Sequence, residues 1–226
     1  MDAAAVPRVR GSLWARSAWL TFGLFLFALG IVLLLGAELG LAPWDVLNQG
    51  FEDKTPLSFG NANIAVAVLV MATAAALGAG IGPGTVANAV LIGVFVDLLV
   101  AAGLSEAISG LPAGVRGVFV AGGIGSVAAG SALYIGAGMS AGPRDSLMLV
   151  LSRRSGFRIG AVRAAIESTV TVIGFALGGT VGIGTLAFAF GIGPAVEASF
   201  ALLARSPLAQ RSPAQVDITL FGNPAE

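Results

Sequence analysis

Leu39-Gly-Leu-Ala-Pro-Trp-Asp-Val-Leu-Asn-Gln-Gly-Phe51 returns one hundred residues later as Met139-Ser-Ala-Gly-Pro-Arg-Asp-Ser-Leu-Met-Leu-Val-Leu151. Each copy runs from small residues to a proline, to an acid two positions on, and then to an apolar stretch. Proline suits the first turn of a helix, where its missing N–H costs nothing. An acid in that turn meets unpaired N–H groups and the positive end of the helix dipole. The pattern predicts short helices over 43–51 and 143–152, both far below the ~20 residues a bilayer crossing needs.

The same offset extends outward. Gly36, Gly60, Gly82, Gly84-Thr85 and Gly93 recur as Gly136, Gly160, Gly182, Gly184-Thr185 and Gly193, and Asp97 recurs as Glu197. Over 30–101 against 130–201, 22 of 72 pairs are identical. Around the two short helices lie six apolar segments of membrane length, at about 17–37, 62–80, 84–103, 117–136, 160–179 and 183–204. Each copy holds three, and an odd number of crossings makes the second copy enter the membrane upside down. The expected fold is an all-α polytopic membrane protein: six transmembrane helices as two inverted three-helix repeats, each with a short Pro-Asp helix after its first span. The division is an N-terminal segment over 1–16, repeats over 17–104 and 117–204, and a tail over 205–226, expected to be loose.

Composition agrees. Hydrophobic residues make up 56% of the 226 and charged residues 11%, too few to solvate a soluble surface. The 33 glycines suit close helix packing in lipid. A net charge of zero offers nothing to nucleic acid. Cys and His are both absent, which removes thiol and imidazole chemistry and most transition-metal sites. No cofactor or metal is expected. Proton chemistry falls to carboxylates, Tyr134, Lys54 and arginines. The first apolar run is longer than a signal-peptide core and lacks a convincing cleavage site, so it is read as a retained span.

Lys and Arg set the orientation. With both termini cytoplasmic, ten arginines, at 8, 10, 16, 144, 153, 154, 158, 163, 205 and 211, lie at the inner edge, and Lys54 and Arg116 lie outside. The short helix at 43–51 then belongs to the outer side of the plasma membrane and that at 143–152 to the inner side.

The stretches Gly-Leu-Ala-Pro-Trp-Asp-Val-Leu (40–47), Gly-Pro-Arg-Asp-Ser-Leu-Met (142–148), Val-Arg-Ala-Ala-Ile-Glu (162–167) and Gly-Gly-Thr-Val-Gly-Ile-Gly-Thr (178–185) resemble the YczE/YyaS/YitT group of bacterial membrane proteins. The resemblance covers about 20–205. It implies an integral membrane protein and, more loosely, a small-molecule exporter or an accessory to antibiotic production. The soluble C-terminal domain of YitT-like members is not found in this sequence, which places it nearer the YczE-like branch.

Each candidate residue carries two readings. Asp45 and Asp145 face a shared polar or proton site, or they cap their helices at the headgroups. Arg144, where the first copy has Trp44, holds an anionic group or marks the inner surface. Arg163 and Glu167 stand one turn apart, with Glu167 ~10 Å into its span, an expensive depth that favours a functional cavity over a structural lock. Asp97 and Glu197 form a proton relay at the two mouths or snorkel to the interface. The Gly82–Thr85 and Gly182–Thr185 turns lack the lysine of a phosphate loop and read as tight hairpins. Trp14, Trp19 and Trp44 read as interfacial anchors.

The expected function is a secondary transporter of a small molecule coupled to a proton or ion, with lipid and substrate as partners. Its small size leaves room for a homodimer. The alternative is a non-transporting membrane accessory protein that scaffolds a biosynthetic system through the Arg153–Arg158 loop. An enzyme is not expected. An intramembrane aspartyl protease needs a carboxylate pair, and the topology puts Asp45 and Asp145 on opposite sides.

Overall fold

A computed structural model describes residues 7–209. Nine helices follow one another among them: α1 (Leu13–Ala37), α2 (Pro43–Lys54), α3 (Phe59–Ala76), α4 (Pro83–Ala101), α5 (Leu104–Ser109), α6 (Ala113–Gly136), α7 (Pro143–Ser155), α8 (Ile159–Leu177) and α9 (Ile183–Arg205). Six of them, α1, α3, α4, α6, α8 and α9, are long and apolar enough to cross a membrane. The protein is an all-α polytopic chain. Much of the tail expected to be loose, 210–226, lies outside the described residues.

Helix ends follow local chemistry more closely than apolar runs do. α1 starts at Leu13, four residues before the apolar run, because Ser12 accepts a hydrogen bond from the Ala15 N–H. α3 starts at Phe59 because Ser58 accepts from the Asn61 N–H, and it stops at Ala76, before Gly78 turns left-handed at φ 90°. α2 and α7 open on Pro43 and Pro143 and run to Lys54 and Ser155, three residues beyond each expected end. α5 sits in the segment between the halves, where the sequence reading placed no element. Six residues between Gly103 and Gly110 are too few to show a period.

α1 and α6 form the centre. They approach until backbones touch. A Cβ on Gly23 would lie 2.8 Å from the Gly130 carbonyl oxygen, and one on Gly30 would lie 2.6 Å from that of Gly123. Small residues allow this approach, and in lipid the resulting dispersion contacts are the main driving force. The two contacts use the same pair of positions, one hundred residues apart, with the partners exchanged.

The exchange recurs elsewhere. α2 packs on α8, and α7 packs on α3. The Gly84 N–H donates to the Met139 carbonyl at 2.8 Å, and the Gly184 N–H donates to the Leu39 carbonyl at 2.6 Å. Thr85 Oγ1 adds a bond to the Ala141 carbonyl at 2.7 Å. Each glycine hairpin thus clasps the chain entering the other short helix. At the N-terminus, the Val9 N–H donates to the Gly136 carbonyl, Val9 and Ala209 form a bridge, and Arg16 donates to the Ala137 and Gly138 carbonyls at 2.7 and 2.8 Å.

Candidate functional site

The first turns of α2 and α7 meet at one cavity of about 360 Å³ inside the helical body. Pro43, Trp44 and Asp45 reach it from α2; Pro143, Arg144, Asp145 and Met148 reach it from α7. The expectation that Asp45 and Asp145 are held on opposite sides is corrected. The N-terminal ends of the two short helices converge on the same space. Nor does either acid accept from the first N–H groups of its helix: Asp45 accepts from Asn48 and Asp145 from Tyr134.

Asp45 is 2% exposed. Its Oδ1 accepts from Asn48 Nδ2 at 3.3 Å and stands 4.0 Å from Arg144 Nη2. The short helix carrying it does not cross the membrane. Burial raises its carboxyl from the ordinary 3.8 to about 6, against the opposing pull of Arg144 and Asn48. Arg144 is not a surface arginine. It lies with its guanidinium carbon 4.9 Å from the centre of the Trp44 ring, a cation–π contact. Trp44 in turn is 7% exposed, so the interfacial anchoring expected of it is corrected: it is a wall of the cavity and a platform for Arg144. Trp14, at 86% exposed, does stand outside.

On the other side, Tyr134 donates its hydroxyl hydrogen to Asp145 Oδ2 at 3.0 Å. Arg163 Nε donates to Glu167 Oε1 at 2.7 Å, forming the expected pair one turn apart. Both line the cavity, as does Glu197. Asp97 does not. Its Oδ2 accepts from Ser58 Oγ at 2.6 Å and its Oδ1 from the Gly60 N–H at 2.8 Å, so it closes the N-terminus of α3.

Asn63 and Asn88 complete the polar lining. Asn63 Nδ2 is buried without a hydrogen-bond partner, a costly state that a bound acceptor would relieve. The sequence reading passed over both. An asparagine inside an apolar span was the available signal, since a buried amide needs partners that lipid cannot supply. The lining therefore holds four carboxylates, Asp45, Asp145, Glu167 and Glu197, against two guanidiniums, Arg144 and Arg163. It has the ingredients to strip water from a small charged molecule and replace it with fixed polar groups.

The chain is 34% identical over 203 residues to an uncharacterized protein of Haemophilus influenzae, covering 87% of this chain and 90% of that one. It is 32% identical over 168 residues to the uncharacterized membrane protein YczE of Bacillus subtilis, covering 73% and 75%. No solved structure matches. Residues 14–200 match the family of unknown function DUF6198, and with these two relatives the chain belongs to that YczE-type membrane protein family.

Proposed function

We propose that this protein is a secondary transporter of a small polar molecule, built as two inverted repeats with the binding site between them. One observation carries the reading: helix ends from both halves meet at a polar cavity inside an apolar body. Transporter sites of this kind combine interrupted or short helices with a position between repeats. The exchanged contacts, Gly23 with Gly130 and Gly30 with Gly123, support an axis relating the halves.

The excess of carboxylates over guanidiniums favours a cationic or zwitterionic solute, with a proton or cation as coupling ion. In this mechanism the coupling ion neutralises Glu167 or Asp45, stabilises one access state, and leaves on the other side as the halves rock. Arg144 and Trp44 hold the anionic or π-bearing part of the solute. The lysine and arginine distribution supports an orientation with both termini in the cytoplasm.

A thermal-shift screen of the purified protein against monovalent cations and small amines is the first test. A stabilising solute is then followed into proteoliposomes. Glu167→Gln is expected to abolish ion-coupled flux while leaving the unfolding temperature within a few degrees of wild type. Unaltered coupled flux removes Glu167 from the mechanism.

A second reading draws on the exposed last turn of α7 and the turn into α8, carrying Arg153, Arg154, Phe157 and Arg158, with Phe157 68% exposed. Such a surface suits a docking partner at the cytoplasmic face. Loop-dependent co-purification, with no solute that stabilises the protein, favours an accessory role.

A further inference from the structure

The two halves differ where their sequences agree. In the first half, α3 packs along α4, and Gly60 and Gly93 sit backbone against backbone. Asp97 locks this contact through Ser58 and the Gly60 N–H. In the second half the equivalent glycines, Gly160 and Gly193, have nothing within 4 Å of the space a Cβ would fill. No comparable packing joins α8 to α9. Val162, Val170 and Gly174 are the buried residues of α8, whereas α3 buries eight of its own.

The parts of the missing contact are nevertheless present. Glu197 stands in the place of Asp97, exposed at the cavity edge. Arg158 stands in the place of Ser58 as the N-cap of α8, where no side chain caps the helix. Arg158 and Glu197 form no ion pair with each other among the described residues. The space at Gly193 is open, and Ala164 replaces the Ile64 that packs on Gly93. Pro194 follows Gly193 inside α9, removing one helical hydrogen bond and creating a point of bending.

We propose that α8 and α9 are the open gate of this carrier, and that the gate closes by seating Gly160 on Gly193 while Glu197 reaches Arg158 and the free N–H groups at the start of α8. The proposal rests on the transporter reading and gives it its two states. Here α3–α4 is shut and α8–α9 is parted. In the complementary state the pattern exchanges, as it must for a carrier whose halves are related by an axis in the membrane plane. By the orientation above, the open gate faces the cytoplasm. Arg158 and Glu197 act as positioning residues that hold the shut gate; they are not required to touch the solute.

The chain has no cysteine, so a disulfide trap reads the gate directly. Arg158→Cys/Glu197→Cys in membrane vesicles, oxidised with copper phenanthroline, is expected to form an intrachain bond. Adding Asp97→Ala unlocks the α3–α4 side and is expected to raise the rate about tenfold, the effect of removing one charge-assisted contact from a two-state balance. Gly193→Leu fills open space, so it is expected to leave thermal stability unchanged and to abolish the bond. The proposal is overturned if the bond does not form in either background, forms only between two copies of the chain, or forms equally well with Gly193→Leu. No solute enters this assay. A trapped gate in a protein that no solute stabilises counts against transport alone, and saturable solute binding without a trap counts against the gate alone.

Discussion

At the scale of residues, the Asp45–Arg144 contact has the clearest consequence. A carboxyl raised in the folded protein prefers its proton there, so folding gains from low pH and loses that gain as pH climbs from 3.8 to about 6. Wild-type stability in detergent is expected to fall across this window, and Asp45→Asn is expected to flatten the fall. Arg144→Ala removes the cation that offsets burial. The Asp45 carboxyl then rises further, and at pH 8 the protein keeps an unpaired buried charge, costing about 3–5 kcal/mol for a pair broken on one side. Thermal unfolding between pH 5 and 8 checks both, with the Arg144→Ala deficit largest at the alkaline end. An Arg144→Ala deficit independent of pH would assign the loss to the Trp44 stacking contact instead.

At the scale of elements, the α1–α6 contact depends on glycine at four places. Gly30→Leu drives a side chain into the Gly123 carbonyl and the Val127 backbone, neither of which can rotate away. Overpacking of this kind costs about 1–3 kcal/mol. Gly125→Leu on the same α6 meets nothing within 4 Å and is expected to change stability by about 0.5 kcal/mol or less. Chemical denaturation of the two variants side by side separates contact from helix propensity. The elements themselves were largely legible: proline and glycine punctuate the chain, and the apolar runs between them have membrane length. The ends were less so, because Ser12 and Ser58 extend helices by capping, which hydropathy does not register. The site was legible as a set of residues and illegible as a place. Asp45, Arg144, Asp145 and Glu167 stood out as costly charges in an apolar chain. Their convergence, and the removal of Trp44 from the interface, depend on how far α2 and α7 reach inward, and no local pattern encodes that depth.

At the scale of the whole molecule, the paired exchange of contacts makes a topological statement that labelling can test. Asp53→Cys and Ser155→Cys, near the ends of α2 and α7, are expected to react with an impermeant maleimide from opposite faces of intact cells. Reaction of both from one face would dismantle the inverted arrangement. The exposed apolar side chains of α8 and α9, among them Val172, Phe175, Leu186 and Phe190, suit lipid contact or the face of a second copy. Crosslinking of the single-cysteine variants reports which.

The bridge between Val9 and Ala209 brings the first and last described stretches of the chain side by side. Covalent order is then secondary to what the halves do to each other. Severing the chain at Gly110, in the exposed stretch after α5, leaves two polypeptides whose α1–α6 seam and reciprocal hairpin clasps are all intermolecular and all intact. Such fragments, co-expressed, have every non-covalent reason to reassemble.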